Sequence, residues 1–182
     1  MRRLGAVVTL VLLLAACTPA PETTAPPAPP CVSSGGTPGA SPSLPDLALP
    51  CFDGSATVHL GQLRGPAVVN LWASWCAPCR QELPAVQRFA VRAAGQVAVI
   101  GVNTMDTRQG GDAIVEDFGL TFPVLVDEPG ALLRQVAARQ ALPVTLFVDR
   151  DGRVAYTYQA EALDDATLTG LVARYLGVAV PA

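Results

Sequence analysis

The string Trp72-Ala73-Ser74-Trp75-Cys76-Ala77-Pro78-Cys79 constrains this chain more than any other. It follows a continuous apolar run of buried-strand length, Ala67 to Trp72. It opens a segment, Pro78 to Ala93, that carries Leu83, Val86, Phe89, Ala90 and Ala93 at helical spacing. Arg80, Gln81, Arg88 and Arg92 fall on the other side of that helix. A Cys-x-x-Cys at a strand-to-helix turn puts the first sulfur at the helix N-terminus, where unpaired N–H groups and the helix dipole favour thiolate. The second sulfur lies one turn in, close enough to close a disulfide. That geometry suits a two-step thiol exchange in which Cys76 attacks a disulfide and Cys79 resolves the mixed disulfide. Pro84 removes one backbone hydrogen bond inside the helix and crowds the Arg80 carbonyl, which predicts a kink there.

Strand and helix signals alternate along the rest of the chain. Gln96 to Val102 reads as the next parallel strand, Asp112 as the N-cap of a helix stopped by Gly119, and Phe122 to Val126 as another short strand. Leu132, Leu133, Val136 and Ala137 predict a helix from Ala131 to Arg139. The runs Thr145 to Val148 and Val154 to Tyr158 flank Asp149-Arg150-Asp151-Gly152, a hairpin signal. Asp164 caps a last helix with Leu168, Leu171, Val172, Tyr175 and Leu176 on one face and Gly177 beyond its end. A parallel βαβ unit followed by an antiparallel hairpin and a closing helix predicts an α/β fold, a mixed central sheet with helices on both faces.

The chain begins Met1-Arg2-Arg3 and continues with an apolar stretch, Leu4 to Ala16, that is shorter than the ~20 residues a bilayer span needs. Residues 1–16 therefore read as a signal peptide. Leu14-Ala15-Ala16-Cys17 resembles the bacterial lipobox, which implies that Cys17 is acylated and becomes the first mature residue. A two-chain lipid at ~0.8 kcal/mol per buried methylene would anchor the protein to the cell membrane, outside the cytoplasm. Residues 17–43, rich in Pro, Ala, Thr, Ser and Gly, read as a disordered tether, leaving 44–182 as the folded domain. Every basic residue is Arg and they are dispersed in a chain of net charge −3, so nothing resembles a phosphate-binding stripe and nucleic acid is discounted. Of the five cysteines, Cys31 and Cys51 remain once Cys17 is given to lipid and Cys76 and Cys79 to exchange chemistry. In an oxidising compartment such a pair reads as a structural disulfide, with a second redox relay as the rival.

Extended to Arg80-Gln81-Glu82-Leu83-Pro84, the cysteine string resembles the TlpA/ResA-like branch of the thioredoxin superfamily, whose core is W-C-x-P-C-x-x-E-x-P. The likeness runs from about Pro45 to Gly177. It implies a thioredoxin-like fold and thiol:disulfide exchange with disulfide-containing or dithiol protein substrates, with no cofactor beyond the cysteines. Trp75 and Pro78 would then border the substrate. Leu142-Pro143-Val144-Thr145 stands where the family carries its cis-proline, so Leu142 and Pro143 would offer backbone to an extended substrate segment. Thioredoxins proper keep a buried Asp on the strand before the cysteines; here Asn70 stands in that place and cannot accept a proton. The motif implies Glu82 as the acceptor instead.

The resemblance favours a reductant, kept reduced by a membrane electron-transfer partner of CcdA/DsbD or quinone-linked type and acting on disulfides such as those of apocytochrome c. Some relatives look like oxidants that install disulfides, and Ala77-Pro78 does not decide between the two. A redox-dependent metal chaperone is the reading from another class. Zinc would need four ligands, whereas one close cysteine pair and a single histidine, His59 on an edge strand, are present. The C-x-x-x-C of Sco-type copper chaperones and the P-x-x-x-T-x-x-C of peroxiredoxins are missing, and no metal is expected.

Overall fold

The computed structural model describes residues 31–32 and 44–181. The leader, Cys17 and most of the tether lie outside the described residues. In chain order the elements are β1 (Ala48–Pro50), β2 (Thr57–His59), β3 (Ala67–Trp72), α1 (Ala77–Arg92), β4 (Ala98–Thr104) and α2 (Arg108–Asp117). There follow β5 (Val124–Asp127), α3 (Ala131–Val136), β6 (Val144–Val148), β7 (Val154–Tyr158) and α4 (Asp165–Leu176). Among the described residues no helix is long and apolar enough to cross a membrane.

The main sheet has the strand order β5-β4-β3-β6-β7. β3, β4 and β5 run parallel, and β6 and β7 are antiparallel additions. β1 and β2 pair separately and join the main sheet through a bridge between Cys51 and Leu125. β3 is the central strand and all six of its residues are buried, which is why it reads as an unbroken apolar run. Its side chains alternate between two cores. Val68 and Trp72 pack with Leu83, Val86 and Phe89 of α1 and with Leu168 and Val172 of α4. Ala67, Val69 and Leu71 pack with Ile100, Val102, Leu132 and Leu133 on the opposite face. Each large apolar side chain buried in this way contributes about 1.5–3 kcal/mol. Asn70 has the parity of Val68 and Trp72, and it therefore faces α1.

The expected mixed sheet and hairpin are present, with differences at several element ends. α1 is one continuous helix across Pro84. β4 begins at Ala98 rather than Gln96, because the Gln96 and Val97 N–H groups are used in the turn that closes on the Ala93 carbonyl. α2 begins at Arg108, capped by the Thr107 hydroxyl accepting from the Gly110 N–H at 3.1 Å. Asp112 is thus not the cap; it lies inside the helix, 3.6 Å from the Arg108 guanidinium. Two glycines conceal that first turn from a propensity reading. Space requires them, since a Cβ on Gly110 would stand 2.5 Å from the Ser74 hydroxyl and one on Gly111 2.8 Å from the Asn103 side chain. α3 ends at Val136 rather than Arg139, and its first N–H groups are met by the residue that ends β5, four residues before the helix begins. There the Asp127 carboxylate accepts from the N–H groups of Ala131 at 2.8 Å and Leu132 at 3.0 Å.

Candidate active site

The parallel strand β3 delivers the chain to the N-terminus of α1, and Cys76 is that helix's N-cap. Its Sγ accepts from the Cys79 N–H at 3.2 Å. An N-cap atom receives one of the donors a helix leaves unpaired, and here the acceptor is the sulfur itself. The first turn contains no acidic residue, so nothing there opposes a thiolate. Pro78, also in the first turn, lacks only an N–H that would have had no partner. Cys76 is 4 % exposed and Cys79 fully buried. The two are joined as a disulfide with their Cα atoms 5.3 Å apart.

Trp75 is 61 % exposed beside this pair and donates its indole N–H to the Met105 carbonyl at 2.9 Å. The Leu142–Pro143 peptide bond is cis. β6 starts immediately afterwards and pairs Val144 with Leu71, so Pro143 borders the end of β3 from which the Cys76 turn departs.

Glu82 is buried one turn beyond Cys79, on the inner face of α1. Its carboxylate accepts from the Asn70 amide at 2.7 Å and from the Leu163 N–H at 3.0 Å. Burial pushes its pKa up from 4.5 to about 6, and those two hydrogen bonds hold it back only partly. Asn70 also donates to the Thr145 hydroxyl at 2.9 Å, which leaves its own carbonyl oxygen without a partner. A solvent-facing Glu82 is thereby ruled out. Thr145 and Leu163 were not anticipated in this role: Leu163 acts only through its backbone, which side-chain patterns do not reveal.

A second network, also absent from the sequence reading, fixes the turn before the cysteines. The Asp106 carboxylate accepts from the Ser74 N–H at 2.6 Å, the Ser74 hydroxyl at 2.8 Å, the Asn103 amide at 2.8 Å and the Thr107 N–H at 2.8 Å. It ties the loop after β4 to the residues that precede Trp75 and Cys76.

Cys31 and Cys51 are joined in the structure, with Cα atoms 5.8 Å apart. Cys51 is 1 % exposed. With Asp53 they form the only cluster of metal-ligand spacing among the described residues, and its two sulfurs are bonded to each other. His59 is exposed at the end of β2.

Residues 41–157, more than half of the chain, match the model of the AhpC/TSA family. The chain belongs to the AhpC/TSA family. Its relatives include thioredoxin-like protein YneN of Bacillus subtilis, 32% identical over 59% of this AhpC/TSA chain and 64% of that protein. Thiol-disulfide oxidoreductase ResA of Geobacillus thermodenitrificans is 30% identical over 62% of this chain and 64% of its own. Thiol:disulfide interchange protein DsbE of Allochromatium vinosum is 35% identical over 63% and 60%, so the matches span a little under two thirds of these relatives' length. The TlpA/ResA-like resemblance agrees with these names. MTB DsbF, solved in mixed oxidized and reduced forms, superposes with a TM-score of 0.66 at 27% identity, covering 75% of this chain and 99% of that one. A secreted Mycobacterium tuberculosis disulfide oxidoreductase gives a TM-score of 0.62 at 24% identity, covering 71% and 96%. The AhpC/TSA chain has a thioredoxin-like fold.

Proposed function

We propose that this protein is a thiol:disulfide oxidoreductase of ResA/DsbE type that exchanges disulfides with protein substrates. The observation that carries the reading is Cys76 as the N-cap of α1, bonded to Cys79 and placed above a buried carboxylate. In the reducing direction the Cys76 thiolate attacks a substrate disulfide, a Cys76–substrate bond forms, and the first substrate sulfur leaves as thiolate. Cys79 then loses its proton to Glu82 and attacks the Cys76 sulfur. The second substrate thiolate departs, and two electrons have passed from the cysteine pair to the substrate. Pro143, with Leu142 before it, supplies a non-helical backbone edge on which an extended substrate segment can pair.

The proposal extends to direction and place. The protein is exported by residues 1–16, anchored by lipid at Cys17, and held on the 17–43 tether. It serves as a reductant, for example in cytochrome c maturation, recharged by a CcdA/DsbD or quinone-linked membrane partner. Equilibration of the Cys76/Cys79 pair against redox buffers tests the direction. A potential near about −270 mV is the expected result, and one near about −120 mV would make the protein an oxidant.

The Cys31–Cys51 bond is proposed to be structural. Its loop closes across a separation of 20 residues, and replacing both cysteines by Ser is expected to cost about 2–3 kcal/mol, read as a lower urea midpoint. The Cys76/Cys79 potential should not move. A potential that shifts in the double variant, with an unchanged midpoint, would instead identify a second redox pair.

A further inference from the structure

Only three large apolar side chains are well exposed among the described residues, and two of them, Trp75 at 61 % and Met105 at 46 %, stand together beside Cys76. The third, Val91, lies near the C-terminal end of α1. Met105 is also the one non-glycine residue described with positive φ, at 52°. That conformation is uncommon for an unbranched side chain and persists only when its surroundings impose it. Here they do so from both sides. The Met105 N–H is held by the Asp127 carbonyl at 3.1 Å, and its carbonyl by the Trp75 indole at 2.9 Å. Its side chain lies across Gly130, where a Cβ would come within 2.5 Å of Met105 Cγ.

Trp75, Met105, Asp106, Thr107, Glu128 and Pro129 line a groove of about 480 Å³. The two charges in that lining are both negative. Asp106 is committed to Ser74, Asn103 and Thr107, whereas Glu128 enters none of the ion pairs among the described residues. Two arginines lie nearby: Arg134 has its guanidinium on the Pro129 carbonyl, and Arg108, which lines an adjoining groove with Glu128, is engaged by the Phe52 carbonyl and Asp112.

We infer that this groove is a substrate subsite: it receives the residues next to the substrate cysteine, seating a large apolar side chain on Trp75 and Met105 and a basic one at Glu128. The inference rests on the oxidoreductase reading and names the class of polypeptide that reading would prefer. Backbone pairing at Pro143 accepts any extended segment, and the apolar and acidic groove is what discriminates among them.

The test uses the pre-reduced protein and three disulfides. Two are synthetic peptides with one internal disulfide, identical except that Leu-Arg or Ser-Glu follows the first cysteine, and the third is hydroxyethyl disulfide, which is too small to reach the groove. Wild type is expected to reduce the Leu-Arg peptide about tenfold faster than the Ser-Glu peptide. Met105→Gly, which suits the positive φ, should erase most of that ratio without lowering the melting temperature. Glu128→Lys should cut the ratio about threefold, and less at high salt. Val91→Ser should leave it intact. A wild-type ratio near one with brisk turnover of hydroxyethyl disulfide overturns the subsite alone. So would a loss in Met105→Gly that is equal for all three disulfides. Failure of wild type on every disulfide overturns both the subsite and the oxidoreductase reading.

Discussion

Pre-reduced Cys79→Ser protein, mixed with a disulfide substrate, is expected to accumulate a stable mixed disulfide on Cys76 and to lose multiple turnover. Cys76→Ser is expected to trap nothing. The asymmetry follows from position. Cys76 caps α1, where the Cys79 N–H and the helix dipole stabilise a thiolate, and it is the member of the pair that keeps some exposure, 4 % against none. Cys79 is wholly covered, so a substrate sulfur reaches it only through Cys76. With Ser at 79 the first exchange proceeds, because it needs only Cys76, and the second stops for want of a thiol. Non-reducing electrophoresis and peptide mass mapping read the outcome directly. Equal trapping by both variants would remove the assignment of Cys76 as the attacking sulfur.

The parts of this molecule that the sequence declares are those whose cause is local. The unbroken apolar run Ala67–Trp72 is buried on both faces because β3 lies between β4 and β6, and Gly177 ends α4 in the left-handed conformation expected of it. Asp164 caps α4 through the Thr167 N–H at 2.7 Å, one helical turn away in sequence. The misread start of α2 has a tertiary cause. Gly110 and Gly111 weaken the helix locally because Ser74, Asn103 and Phe52 leave no room for a Cβ, and none of those neighbours is adjacent in the chain. The same holds for the site. The cysteine pair is a four-residue motif and is legible at once. The Asp106 network joins residues 32 apart, and the Leu163 N–H reaches Glu82 across 81, so both emerge only when the fold brings them together.

Glu82→Gln is expected to slow release of the trapped substrate by about a hundredfold while making the protein more stable at neutral pH, two effects of one buried carboxylate. Resolution requires Cys79 to lose a proton in a place where burial raises thiol pKa values, and Glu82 is the buried carboxylate one turn along the same helix. With a pKa of about 6 it is ionised at neutral pH yet close enough to neutrality to take the proton and return it. In wild type the resolution rate should therefore rise through about pH 6, and in the Gln variant that rise should vanish. Removing the charge also removes a like-charge penalty, so Cys76 in the variant should alkylate faster between about pH 6 and neutrality, where the wild-type carboxylate is charged, and the difference should fade below about 6. For stability, the folded carboxyl at about 6 binds its proton more tightly than the unfolded one at 4.5. Below 4.5 both states are protonated and the group costs nothing; between 4.5 and about 6 the unfolded chain ionises first and stability falls; above 6 the full cost remains. That cost is about 2 kcal/mol, and the Gln variant should recover much of it and show a flatter stability curve across this window. Asn70 can accommodate the amide by turning its unpartnered carbonyl oxygen toward Gln, which keeps the change conservative. Stopped-flow alkylation and resolution rates from about pH 5 to 9, with urea unfolding at the same pH values, measure both halves. Unchanged resolution in a stabilised variant would leave Glu82 as a buried structural acid with no part in the exchange.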